Sequence, residues 1–160
     1  MPAIRAIVDT WAAFYAGSPA TRSAVTFAHL GALVVGGGSA IAADLGTVRA
    51  LRRDAPTLRA ELERLHATHR LVTSSLALVV VSGLLLMLAD VDAYVASPAF
   101  WIKMGLFAAL LLNGALIVST TAAAREDSPR DRARLRLAAL ASLALWLATT
   151  LLGTVVPNVL

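Results

Sequence analysis

His29, Asp44 and Lys103 are the ionisable side chains set in or beside long uncharged stretches of this 160-residue chain. A charge in hydrocarbon is expensive, so each is a candidate for function and is expected to face protein or a polar cavity. Lys103 is the only lysine in a chain that otherwise uses arginine. Counting residues from the ends of the stretches brings Met87 and Met104, the only methionines besides Met1, to the depth of His29. Imidazole and thioether are soft ligands suited to Cu(I), and a His/Met pair also holds haem iron. Trp101 and Lys103 at the same level suit a haem propionate or a quinone carbonyl. The expected metal set is therefore His29, Met87 and Met104, with Lys103 and Trp101 as cofactor contacts.

Each residue also has a plainer reading. His29 is then a packed, hydrogen-bonded histidine. Lys103 is an interfacial cation paired with Asp90 or Asp92. Asp44 is a helix-end carboxylate near Arg49. His66 and His69 have the i, i+3 spacing of metal ligands but lie in a polar stretch, most simply as solvated side chains, and too far along the chain to share an ion with His29. The absence of cysteine removes disulfides, thiolate metal sites and cysteine nucleophiles. There is no HExxH, phosphate loop, nucleophile elbow or dinucleotide fingerprint. No catalytic residue is assigned, and an enzyme with its own substrate pocket in water is not expected.

The elements that must position these groups are helices. The chain is 58% hydrophobic and 15% charged, with a mean hydropathy of +0.74, against about 25% charged residues in a soluble domain. The excess is concentrated in four runs nearly free of charge: 24–43, 71–89, 104–124 and 137–160. Each can cross about 30 Å of hydrocarbon as a helix. Ser18-Pro19, Ser97-Pro98 and Ser128-Pro129 each place a capping side chain before a proline at the first helical position. Asp131, three residues after Ser128, completes the pattern of a capping box. Asp54 with Pro56 is a similar start. The expected helices run over about 19–46, 55–89, 98–124 and 129–157. Residues 3–16 add an amphipathic helix with Ile4, Ile7, Val8, Trp11, Phe14 and Tyr15 on one stripe, as expected of a helix lying in the membrane interface. The fold class is thus all-α: one integral membrane domain, a four-helix up-and-down bundle with a short N-terminal interfacial helix.

Eleven of the fourteen basic residues lie in segments 45–70 and 125–136. The positive-inside rule puts both segments in the cytoplasm, and both termini and the Asp90/Asp92 loop outside, for a multi-pass protein of the bacterial inner membrane. The pI of 10.6 reflects this topology. The arginines alternate with Asp54, Glu61, Glu63, Glu126, Asp127 and Asp131, so the expected partner is anionic lipid and not nucleic acid.

Helices in lipid associate through small residues and buried polar groups. His29, Gly36, Ala40 and Asp44 fall within a sector of about 80° on the first long helix. Ser75, Ser82 and Gly83 mark the second, Asn113, Gly114 and Thr121 the third. The fourth carries Ser142, Trp146, Thr149, Thr150, Gly153 and Thr154. These stripes are expected to face inward.

His29-Leu30-Gly31, Gly36-Gly37 and Asp44-Leu45, then Ser82-Gly83, Ser97-Pro98-Ala99-Phe100-Trp101-Ile102-Lys103-Met104 and Asn113-Gly114 together resemble a widespread group of small four-helix bacterial inner-membrane proteins without an assigned activity. The resemblance covers about residues 24–118. That group is similar in architecture to the copper-resistance D proteins and to four-helix b-type cytochromes. The resemblance implies that His29, Asp44, Lys103 and Asn113 are the positions that matter. It departs from the cytochrome pattern in having no histidine in the third and fourth spans.

Three functions stay open on these residues. The first is a redox or metal-handling bundle with haem b, copper or quinone near the outer leaflet. The second is a cofactor-free accessory or assembly subunit, or homo-oligomer, in a larger membrane complex. The third is a small-solute or proton transporter using His29 and Asp44.

Overall fold

A computed structural model of the chain describes the backbone of residues 2–53, 55–124 and 128–158, and all of their side chains except those of Pro2, Ala55, Arg59, His66, Ala67, Ala122, Ala123, Ala124 and Pro157. Six helices follow one another: α1 (Pro2–Gly17), α2 (Pro19–Ala50), α3 (Ala55–Leu88), α4 (Val91–Ala96), α5 (Pro98–Ala124) and α6 (Pro129–Val155), the last ending in a 3₁₀ turn over Val156–Asn158. The described residues contain no strand. Stretches within α2, α3, α5 and α6 are long and apolar enough to cross a membrane.

Local chemistry sets the helix starts. Pro19, Pro98 and Pro129 are the first residues of α2, α5 and α6, where a missing N–H and a fixed φ cost nothing. Ser18 is extended, and its Oγ accepts the Thr21 amide at 3.2 Å. Ser128 is also extended but makes no side-chain cap bond. The capping box with Asp131 is not formed. Asp131 turns to Arg134 instead, at 3.6 Å. The start signal at Asp54 falls outside the described residues, as do Arg125, Glu126 and Asp127. The Asp90/Asp92 segment, expected as a loop, contains the one-turn helix α4. Asp90 caps it by accepting the Ala93 amide at 3.3 Å.

The long helices pack as two close pairs, α2 with α3 and α5 with α6, joined where α2 meets α6. Gly46 lies against Glu61, Gly36 against Ser75, and His29 against Ser82 and Gly83, so α2 and α3 run antiparallel. α3 and α5 make no comparable contact, which leaves a gap between them.

Burial reverses the pattern of a protein in water. Gly36, Gly37, Ser75, Ser82, Ala138, Ala139, Ser142 and Thr149 are buried, while Phe27, Val34, Leu112, Leu137, Leu147 and Leu151 are exposed. An apolar surface of that extent fits lipid, where hydrophobicity drives no association and close backbone approach does. Among the described residues a conventional apolar core cluster forms at one end, from Ala50, Leu58, Leu62 and Leu135 packed with Leu51, Leu65 and Ile117. It belongs to the Arg-rich end of the molecule, near Arg49, Arg64 and Arg134 in sequence.

α1 is held across the opposite end of α3. The Trp11 indole donates to the Leu85 carbonyl at 2.9 Å, one of the last-turn carbonyls that a helix leaves without an internal donor. Arg5 pairs with Asp92 at 3.5 Å.

Candidate functional site

Two polar layers interrupt the small-residue packing of the long helices, one near each end of α2. The first is built on His29. Its Nδ1 lies 3.0 Å from Ser82 Oγ across the α2–α3 contact, and its ring rests on Gly83, where an added Cβ would come 3.3 Å from Cε1. The Ser82 hydroxyl donates to the Leu78 carbonyl at 2.6 Å. Its one proton is thereby used, so Ser82 Oγ accepts from His29 Nδ1–H. The Val79 carbonyl is a further acceptor beside the ring. In the neutral imidazole protonated on Nδ1, Nε2 carries the lone pair.

Lys103 reaches the same layer from α5. Its ammonium acts electrostatically on His29, and its Nζ lies against Gly153 of α6, 3.8 Å from where a Cβ there would stand. Among the described residues it has no ion pair. Asp90 is engaged in capping α4 and Asp92 with Arg5, so neither pairs with Lys103. His29 and Lys103, 74 positions apart in the chain, thus lie within electrostatic range of one another.

The other expected members are placed differently. Met104 follows Lys103 directly, and Met87 stands one turn beyond Gly83 on α3; both are half-buried. The His29 ring meets Ser82 and Gly83. Trp101 is exposed at the α4–α5 corner, donating to the Val95 carbonyl at 3.0 Å and packing edge-on against Phe100. Asn113 lies ten residues further along α5, about 15 Å from the level of Lys103. Its amide donates to the Ala138 carbonyl at 2.9 Å, and so ties α5 to α6. His69 is exposed and lies 3.5 Å from Thr73 Oγ1. The His66 side chain is outside the described residues. No cluster of three His, Cys, Asp or Glu side chains with metal-binding geometry occurs among the described residues.

The second layer is built on Asp44. The side chain is buried, with 4% of the residue exposed. It turns to Ser142 of α6 and not to Arg49, which is exposed. No donor among the described residues meets its Oδ2. Beside it, Trp146 packs over Gly37, whose added Cβ would come 3.1 Å from Cε3 and Cζ3. Sequence reasoning singled out Asp44 but missed its neighbours Ser142 and Trp146 as a site. The signal was the polar stripe of α6; nothing in the sequence says which helix that stripe meets.

No family model, curated protein or solved structure matches this chain. The fold and the two layers define an all-helical protein with four helices long and apolar enough to cross a membrane, with Asp44 buried and His29 and Lys103 half-buried between helices.

Proposed function

We propose that the chain is an integral inner-membrane protein that binds a lipid-soluble quinone-type redox carrier at the layer formed by His29 and Lys103. Its four long helices cross the bilayer as an up-and-down bundle. The Arg-rich segments 45–70 and 125–136 lie in the cytoplasm, α1 lies in the outer interface, and the His29 layer sits toward the outer leaflet.

An ammonium within electrostatic range of an imidazole that is held by Ser82 through Nδ1 carries this reading. Lys103 can donate to a quinone carbonyl oxygen. His29 Nε2 can accept the O–H of the quinol. The pair therefore suits both forms of one carrier. The same ammonium opposes a Cu(I) ion on His29 by charge repulsion, which favours the quinone over the metal among the ligands this level would suit. A haem held by His29 with a propionate on Lys103 is the nearest alternative in chemistry, and optical spectra distinguish the two.

Quinone extracted from protein purified out of native membranes tests the reading. The expected result is near-stoichiometric quinone in the wild type and in Lys103→Arg. His29→Ala and Lys103→Met should each lose at least about tenfold, the scale of one charge-assisted hydrogen bond. Quinone no richer than in bulk lipid, or equal in all variants, overturns it. So does a Soret band or bound copper that His29→Ala abolishes.

A further inference from the structure

The gap between α3 and α5 opens into a cavity of about 540 Å³ whose back wall is formed by α2 and α6. Its size lies within the usual range for a small-molecule site, about 300–1,000 Å³. Asp44 lines it together with Ser142 and Trp146, as do Thr73 and Thr121. The remaining surface is largely apolar, supplied by residues such as Leu76 and Val118. Because α3 and α5 do not close over it, the cavity faces the side of the bundle, where lipid lies.

We propose that this cavity binds an organic ammonium with an apolar body, entering sideways from the lipid, with its charged head at Asp44. Three independent observations converge on that chemistry. Asp44 Oδ2 has no donor among the described residues although the side chain is buried, and an ionised carboxylate in such a place requires a cation. The Trp146 indole stands beside it in the cavity wall, and an aromatic face attracts an ammonium further. The apolar lining then takes a hydrocarbon or aromatic body, which also lets the ligand reach the site through the bilayer. His69 is the other ionisable group among the described residues lining the cavity, exposed and 3.5 Å from Thr73 Oγ1.

This site is separate from the His29 layer. The two residues are fifteen positions apart on α2, about 22 Å along its axis, so the proposal stands or falls independently of the quinone reading. Equilibrium dialysis of tritiated phenylpropylamine against protein in lipid nanodiscs, with empty nanodiscs subtracted, tests it. Saturable binding is expected, weakened about ten- to hundredfold in Asp44→Asn, partly restored in Asp44→Glu and unchanged in His29→Ala. Phenylpropanol, of nearly the same shape but uncharged, should compete at least about tenfold more weakly, a comparison that needs no substitution. Equal competition by amine and alcohol overturns the proposal, and so does unaltered binding in folded Asp44→Asn or the absence of saturable binding to the wild type.

Discussion

At the residue scale, two adjacent glycines decide how closely α2 can be approached, each from a different side. A Cβ on Gly36 would stand 2.5 Å from Ser75 Cβ, an atom fixed to the α3 backbone. Gly38, two positions on, has nothing within 4 Å. Gly36→Ala is therefore expected to force α2 and α3 apart and cost about 1–3 kcal/mol, as overpacking does. Gly38→Ala should be neutral or stabilising by about 0.5–1 kcal/mol through its helix propensity. Thermal denaturation midpoints in one detergent check both, and equal shifts would mean that the α2–α3 contact is looser than described. Depth counting singled out His29 and Lys103, because helical rise converts sequence position into distance along a helix. The direction of Asp44 was not. Its nearest basic neighbour in sequence is Arg49, but that side chain stays in solvent while Asp44 turns across the α2–α6 contact toward Ser142.

At the scale of elements, packing is fastened by a few polar bonds between helices. Asn113 donates to the Ala138 carbonyl across α5–α6, whereas Ser119 bonds only within its own helix, to Leu116. Asn113→Ala is expected to cost about 0.6–2 kcal/mol, the range measured for hydrogen bonds between membrane helices, and Ser119→Ala close to nothing. Detergent-induced unfolding monitored by circular dichroism separates the two. Helix existence was legible in the sequence because charge-free runs and serine–proline pairs are local signals. Pro19, Pro98 and Pro129 each stand at a helix start. The six-residue α4 was missed since its one cue, Asp90, sits among residues that read equally well as a loop. The unformed box at Ser128 has a related cause: Asp131 finds the Arg134 guanidinium one turn away, and the motif says nothing of that competitor.

At the scale of the whole molecule, polar and small groups line the contacts between helices and large apolar side chains face outward. That arrangement suits a hydrocarbon solvent. Four uncharged runs in the composition already pointed to four helices long and apolar enough to cross a membrane. Which helices pair was beyond the sequence, because every long helix carries a small-residue stripe and the stripes do not name their partners. The open side between α3 and α5, and with it the Asp44 cavity, follows from that unstated pairing.

The central claim is that four helices cross a membrane with the Arg-rich segments together on the inner side. The chain has no cysteine, so single cysteines at Asp92, Arg53 and Arg130 can be probed in intact cells with a membrane-impermeant maleimide. Asp92→Cys should be labelled from outside, and Arg53→Cys and Arg130→Cys only after permeabilisation. Labelling of Arg53→Cys or Arg130→Cys in intact cells, or recovery of the protein in the supernatant of detergent-free lysates, would contradict the account.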